Sequence, residues 1–228
     1  MSRLLAANWK MHLAPAGSEA PDSPYRSKPG VDVVVFPSFV DIGKCVWFKL
    51  VTGAQWGCAE ENGGRTGDVS MKMIKDIGCT YVLCGHSERR INHGETDADV
   101  AAQIKAALEQ GLIPIVCVGE SEQEKAAGKI HDVLAAQLSG LPSGELIIAY
   151  EPVWAIGSGK TPGPEDIADA AKVILEKRPN AKILYGGSLD DKNCKEILSI
   201  QGIHGALIGG ASLKPDVFGK IVECAMSL

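Results

Sequence analysis

Leu146-Ile147-Ile148-Ala149-Tyr150-Glu151-Pro152-Val153-Trp154-Ala155-Ile156-Gly157-Ser158-Gly159-Lys160 is the stretch on which the reading of this chain turns. Its first five residues are apolar without alternation, the pattern of a strand covered on both faces. A lone carboxylate, Glu151, ends the run. Proline and tryptophan follow, and then a tip of small residues. That order fits a buried strand delivering Glu151 to a pocket mouth, with a loop able to close over it. Desolvation at an apolar strand end disfavours the charged carboxylate and makes it a stronger base. A strand with a charged end and an ordinary surface loop is the plainer reading, and the pattern alone leaves it open.

Outward from there, short apolar and β-branched runs recur at residues 4–7, 31–36, 50–51, 81–84, 113–118, 183–185 and 206–208, making eight with 146–150. Between them lie stretches with helical spacing. Residues 98–110 stop at Gly111, 122–138 precede Gly140, and 164–177 open on Pro-Glu-Asp and end before Pro179. Each run with its follower takes roughly 20 to 35 residues, the size of a strand-and-crossover unit. Eight such units predict a single-domain (β/α)8 barrel over residues 1–228. A doubly wound sheet is the alternative, but its glycine fingerprint belongs after the first strand, where Asn8-Trp9-Lys10 stands. Pro15, Pro21, Pro24 and Pro29 leave little room for a helix in the first crossover. An irregular connection with one helical turn is expected there.

Composition narrows the functional classes. A formal net charge of -5 with no dense basic block argues against a general nucleic-acid partner. No apolar run approaches the length of a membrane span, so no membrane partner is expected. The run after Met1-Ser2-Arg3 is too short for a secretory leader. Seven cysteines, an odd number without paired spacing or a histidine pair at metal spacing, read as reduced structural thiols. A cytoplasmic protein without metal or cofactor is the expectation.

In a barrel, the residues just beyond each strand converge on one face. Here they are Asn8 and Lys10, Gly85-His86-Ser87-Glu88, Gly119-Glu120, Glu151, Gly186-Gly187-Ser188 and Gly209-Gly210-Ala211-Ser212. The two glycine turns let backbone N–H groups approach an anion, and a helix start at Ala211-Ser212-Leu213 adds a favourable dipole. Either turn could equally be just a tight turn. Together they predict a phosphate site, completed by Lys10 and the tip Gly157-Ser158-Gly159. His86 could be a structural residue. With Ser87-Glu88 as the cap and first turn of a helix, its imidazole is instead held neutral. A neutral N–H can then polarise a carbonyl while Glu151 removes a proton from the adjacent carbon, and Lys10 balances charge on the enediolate oxygens. The reaction class is proton transfer on a small phosphorylated carbonyl compound.

Asn8-Trp9-Lys10-Met11, Gly85-His86-Ser87-Glu88-Arg89-Arg90, Cys117-Val118-Gly119-Glu120, residues 149–160, Tyr185-Gly186-Gly187-Ser188 and residues 207–213 together resemble the triosephosphate isomerase family. The match runs through nearly the whole chain in order. The resemblance implies the family's own mechanism: interconversion of dihydroxyacetone phosphate and glyceraldehyde 3-phosphate through an enediol, in glycolysis and gluconeogenesis, with no cofactor or metal. It implies Glu151 as base, His86 as electrophile, Lys10 as cation, Asn8 as a positioner and Glu88 in support. It assigns phosphate to Gly157, Ser188, Gly209 and Gly210, and a water-excluding lid to residues 152–160. It further implies a homodimer through the loop at 62–68, where Arg65 and Asp68 stand in place of an aromatic residue and a glutamate. Pro162 stands where alanine is common, which predicts a stiffer far hinge of the lid. Another sugar-phosphate aldose–ketose isomerase and a non-catalytic barrel are the competing readings.

Overall fold

The computed structural model describes residues 2–144, 146–156 and 161–228. Eight parallel strands form one sheet in the order β2-β1-β8-β7-β6-β5-β4-β3. They are β1 (Arg3–Asn8), β2 (Val31–Phe36), β3 (Gly53–Ala54), β4 (Tyr81–Cys84), β5 (Ile113–Val118), β6 (Ile147–Tyr150), β7 (Lys182–Tyr185) and β8 (Ile203–Ile208). The two ends of the sheet meet where Val35 bridges Thr52 in parallel, and the Val35 N–H donates to the Val51 carbonyl at 2.9 Å. The sheet therefore closes into a barrel.

Alternation within each strand explains why the apolar runs are continuous. Leu4, Ala6, Val34, Phe36, Leu83, Ile115, Cys117, Ala149, Leu184 and Leu207 fill the barrel interior as one cluster. Their neighbours Leu5, Ala7, Val33, Val35, Val82, Val116, Ile148 and Ile183 point outward into a second cluster beneath the helices. Each fully buried valine, leucine, isoleucine or phenylalanine side chain among them contributes about 1.5–3 kcal/mol. Polar alternation would forfeit one of the two layers.

The helices are α1 (Phe39–Trp47), α2 (Met71–Asp76), α3 (Ser87–His93), α4 (Asp97–Glu109), α5 (Glu122–Ala126), α6 (Ile130–Ser139), α7 (Pro164–Lys177), α8 (Cys194–Leu198) and α9 (Pro215–Met226). Thr96 opens α4 and Ser121 opens α5, each through a reciprocal capping box. Pro164 begins α7 at its first turn, as its missing N–H permits.

Four expectations are corrected. The third strand lies at Gly53–Ala54 and not at 50–51, because small residues lie beside the Phe36 ring inside the barrel and carry no apolar signal. The helix expected over 122–138 is two helices, parted at Gly128 with φ 68°. The start expected at Ala211-Ser212-Leu213 is a 3₁₀ turn, Gly210–Leu213, and α9 begins at Pro215. The first crossover is irregular, but it holds no helical turn. It is a chain of tight turns in which the N–H groups of Ser18, Ala20, Ser23 and Arg26 each donate to the carbonyl three residues back.

Tyr25 occupies the space this crossover leaves without a helix. Its ring is fully buried, stacked on Phe218 of α9 at 5.0 Å and edge-on to Trp9 at 5.2 Å. Its hydroxyl donates to the Ser212 carbonyl at 2.6 Å. No helix among the described residues is long and apolar enough to cross a membrane.

Candidate active site

A pocket of about 660 Å³ opens at the carboxyl ends of the strands. Asn8, Lys10, His86, Glu151, Ser188, Gly209 and Gly210 all line it. Five separate strand ends supply these residues, so the barrel itself brings the sequence-distant groups together.

Glu151 follows β6 and is only 2 % exposed. Its backbone is fixed from β5, where its N–H donates to the Val118 carbonyl at 2.7 Å. Gly186 stands behind the side chain: a Cβ there would lie 2.8 Å from Glu151 Cγ, so only glycine leaves the carboxylate its place. Oε2 accepts the Ser87 N–H at 3.0 Å, at the first residue of α3. A carboxylate at a helix N-terminus is stabilised by the orphan N–H and the dipole. Oε1 stands 3.2 Å from His86 Nε2 but has no well-aligned donor, which leaves a lone pair available to a proton. Cys117 lies directly against the carboxylate. Burial first, then the Glu151 charge, push its thiol well above the ordinary range, so it remains protonated.

His86, 6 % exposed, caps α3 itself rather than preceding a Ser87 cap as the sequence suggested. Its Nδ1 accepts the Glu88 N–H at 3.2 Å. That bond assigns the ring proton to Nε2, the atom facing Glu151 and the pocket.

Lys10 reaches the same space from β1. Its backbone is in the left-handed region with φ 51°, an unfavourable conformation for a side-chain-bearing residue. Two contacts hold it there: its N–H donates to Asn8 Oδ1 at 3.0 Å, and Gln55 Nε2 donates to its carbonyl at 2.7 Å and to that of Phe36 at 2.9 Å. Nζ meets Glu88 Oε1 at 2.6 Å. Glu88 thus acts on the pocket through Lys10 and lines an adjoining cavity of about 570 Å³.

On the far wall, the Ser188 hydroxyl donates to the Ala155 carbonyl at 2.6 Å, joining the first glycine turn to the base of the loop after Glu151. Ser212 secures the second turn through Oγ donation to Gly209 O at 2.7 Å. Gly157, also expected at the phosphate, lies outside the described residues.

Three residues of the site carried no assigned role in the sequence. Gln55 has just been described. Glu120, fully buried, accepts Trp154 Nε1 at 2.7 Å and the Tyr150 hydroxyl, while its carbonyl takes the Val153 N–H at 3.0 Å. Burial raises its pKa against those hydrogen bonds. Gln137, on α6, hydrogen-bonds both backbone groups of Gly119. The position of Glu120 after a strand was a signal for its involvement. The two glutamines gave none, because their partners are distant in sequence.

A parallel barrel with an apposed carboxylate and imidazole at its strand ends is built as a (β/α)8-barrel enzyme, and the family match makes it an isomerase. The family model of triosephosphate isomerase matches residues 3–225, and the chain belongs to the triosephosphate isomerase family. It is 44 % identical over 244 positions to a protein of Ruegeria sp. named triosephosphate isomerase, covering 97 % of this chain and 98 % of the relative. A protein of the same name from Afipia carboxidovorans is 42 % identical over 245 positions, with 96 % of each chain covered. With that of Lawsonia intracellularis the identity is 39 % over 253 positions, spanning 100 % of both.

Proposed function

We propose that this chain, as one catalytic domain over 1–228, interconverts dihydroxyacetone phosphate and D-glyceraldehyde 3-phosphate through an enediol(ate). The observation that carries the proposal is the apposition of Glu151 and His86 in a pocket that Lys10 shares. In this reading Glu151 leaves Ser87 and His86 as substrate enters, and takes a proton from the carbon beside the carbonyl. The Nε2–H of His86 faces the oxygen on which negative charge grows, and Lys10 sits across from it. Preorganised donors at that oxygen lower the barrel enzyme's barrier without reorganising when the charge appears. Asn8 and Glu88 act by holding Lys10 at its backbone and at Nζ. The backbone at Ser188, Gly209 and Gly210, with Gly157 from the lid, receives the phosphate. In this reading residues 152–156 begin the water-excluding lid, of which residues 157–160 lie outside the described residues.

A coupled assay with glyceraldehyde 3-phosphate in deuterated water tests this. Turnover with deuterium appearing on the product carbon next to the new carbonyl is the expected result, because a carboxylate shuttle exchanges with solvent. Turnover without deuterium would replace the shuttle by a hydride shift. Activity only on a larger phosphorylated aldose would favour the alternative aldose–ketose isomerase.

Two coarser features extend the proposal. Met11 and Phe39 line the 570 Å³ cavity beside Lys10 and stand exposed, as do Leu13 and Val40 next to them in the chain. They support a homodimer in which the loop at 62–68 of one copy fills that cavity in the other. Arg65 is paired with Glu60, just ahead of its loop, which favours a preformed loop. The cysteines are all free thiols, which supports a reducing, cytoplasmic location.

A further inference from the structure

The catalytic carboxylate is supported from a helix that never touches the pocket. Gln137 lies on α6, between β5 and β6, and its side-chain amide meets the backbone of Gly119 head to tail. The Gly119 N–H donates to Gln137 Oε1 at 2.8 Å, and Gln137 Nε2 donates to the Gly119 carbonyl at 3.2 Å. This satisfies both backbone polar groups of a residue just past the end of β5, where the ladder no longer does so.

Gly119 is in turn pressed against the base. A Cβ on it would stand 1.8 Å from the Glu151 carbonyl oxygen and 2.5 Å from its carbon. The residues flanking Gly119 hold the same segment, since Val118 O takes the Glu151 N–H at 2.7 Å and Glu120 O takes the Val153 N–H at 3.0 Å. Glu151 and the first residues of the lid are therefore mounted on residues 118–120, and Gln137 fastens the centre of that mount to the helix layer. Behind it lies a cavity of about 180 Å³ lined by Gln137, Gly119, Cys117, Ser87, Arg90 and Glu151. A mount released from Gln137 has room to move into that space.

We infer that Gln137 is a positioning residue for the Glu151 base, acting through Gly119. The inference rests on Glu151 being the base of the proposed isomerisation. Displacing a reacting group by about 1 Å can cost on the order of a hundredfold in rate, and partial loosening costs less. The loss falls chiefly on kcat, because three of the four groups assigned to phosphate, Ser188, Gly209 and Gly210, follow β7 and β8, away from the mount.

The test uses the full chain with Gln137→Leu and Gln137→Glu, each checked for folding by its thermal midpoint. Gln137→Leu is expected to lower kcat about tenfold or more, with KM changed less than about twofold. Gln137→Glu carries the sharper readout and stands alone if the leucine variant does not fold. As a carboxylate it accepts from the Gly119 N–H but faces the Gly119 carbonyl with a second lone pair. Protonated, it both accepts and donates as glutamine does. Its kcat relative to the parent at the same pH is therefore expected to rise as pH falls from about 8 to about 5, as the carboxyl group protonates. A ratio flat with pH, an unchanged kcat in both variants, or a loss confined to KM would overturn the assignment. A parent that does not turn over triose phosphate would instead refute the function itself, and the two failures are seen in different proteins.

Discussion

Oε1 of Glu151 lies 3.2 Å from Nε2 of His86, yet the two are not aligned as a hydrogen bond. The other oxygen is satisfied by the Ser87 N–H, so the carboxylate is anchored by one atom and open at the other. A base needs this combination. Full satisfaction would hold it away from substrate, and none would leave a buried charge without support.

The chemistry depends on where that open oxygen reaches. Glu151→Asp withdraws it by one methylene, about 1 Å, and kcat is expected to fall at least tenfold while the fold survives. A coupled isomerase assay beside the parent reads this directly. Full activity in the aspartate variant would remove Glu151 as the positioned base.

The first residues after Glu151 are held by a buried acid. Trp154 donates to Glu120, and Lys125 Nζ lies over the Trp154 ring, 3.2 Å from its centroid. Hydrogen bonds to charged groups contribute about 1.5–3 kcal/mol. Trp154→Phe keeps the ring and removes the donor, so the segment at 153–155 should loosen without emptying its site. A fall in kcat of roughly three- to tenfold is expected, with more enediol lost to phosphate elimination. Product partitioning measured against the parent checks it, and unchanged partitioning would show that Glu120 does not govern closure.

Tyr25 replaces a helix with one side chain. It closes the gap between β1 and α9 by stacking on Phe218, and its hydroxyl holds Ser212 just beyond the second glycine turn. Tyr25→Ala is expected to cost about 3–5 kcal/mol of stability, the range for removing a large buried aromatic. Tyr25→Phe should cost about 1–3 kcal/mol by stranding the Ser212 carbonyl. Denaturant unfolding of both variants measures the costs. A negligible loss in Tyr25→Ala would mean that the crossover is not part of the cooperative core.

Much of this architecture is legible in the sequence because barrel strands are covered on both faces. Residues 31–36 and 113–118 match their strands to the residue. Gly53–Ala54 was hidden because a strand that yields space to Phe36 has no bulk of its own. Glu151, His86 and Lys10 were readable from their places after strands. His86 as its own helix cap was not, since histidine lacks the side-chain oxygen that marks common caps. Gln55 and Gln137 act on the backbones of Lys10 and Gly119, 45 and 18 residues away, and no local pattern encodes such contacts.

At the other end of the barrel, His204 on β8 gives stability its own pH dependence. The Ile183 N–H donates to His204 Nδ1 at 3.1 Å, a bond that needs this nitrogen unprotonated. Burial first, then the nearby Lys182 and Arg3 charges, lower its pKa below the ordinary 6.5. A histidine whose pKa is depressed on folding binds protons more readily when unfolded, so stability rises with pH across the window. The contribution is complete above about 6.5 and is lost as pH falls through the lower folded value. His204→Gln keeps an acceptor for Ile183 but cannot titrate. Between pH values of about 8 and about 5, the parent's thermal midpoint is expected to drop more than that of His204→Gln. Parallel curves for the two proteins would show that His204 is not protonated on unfolding in this range.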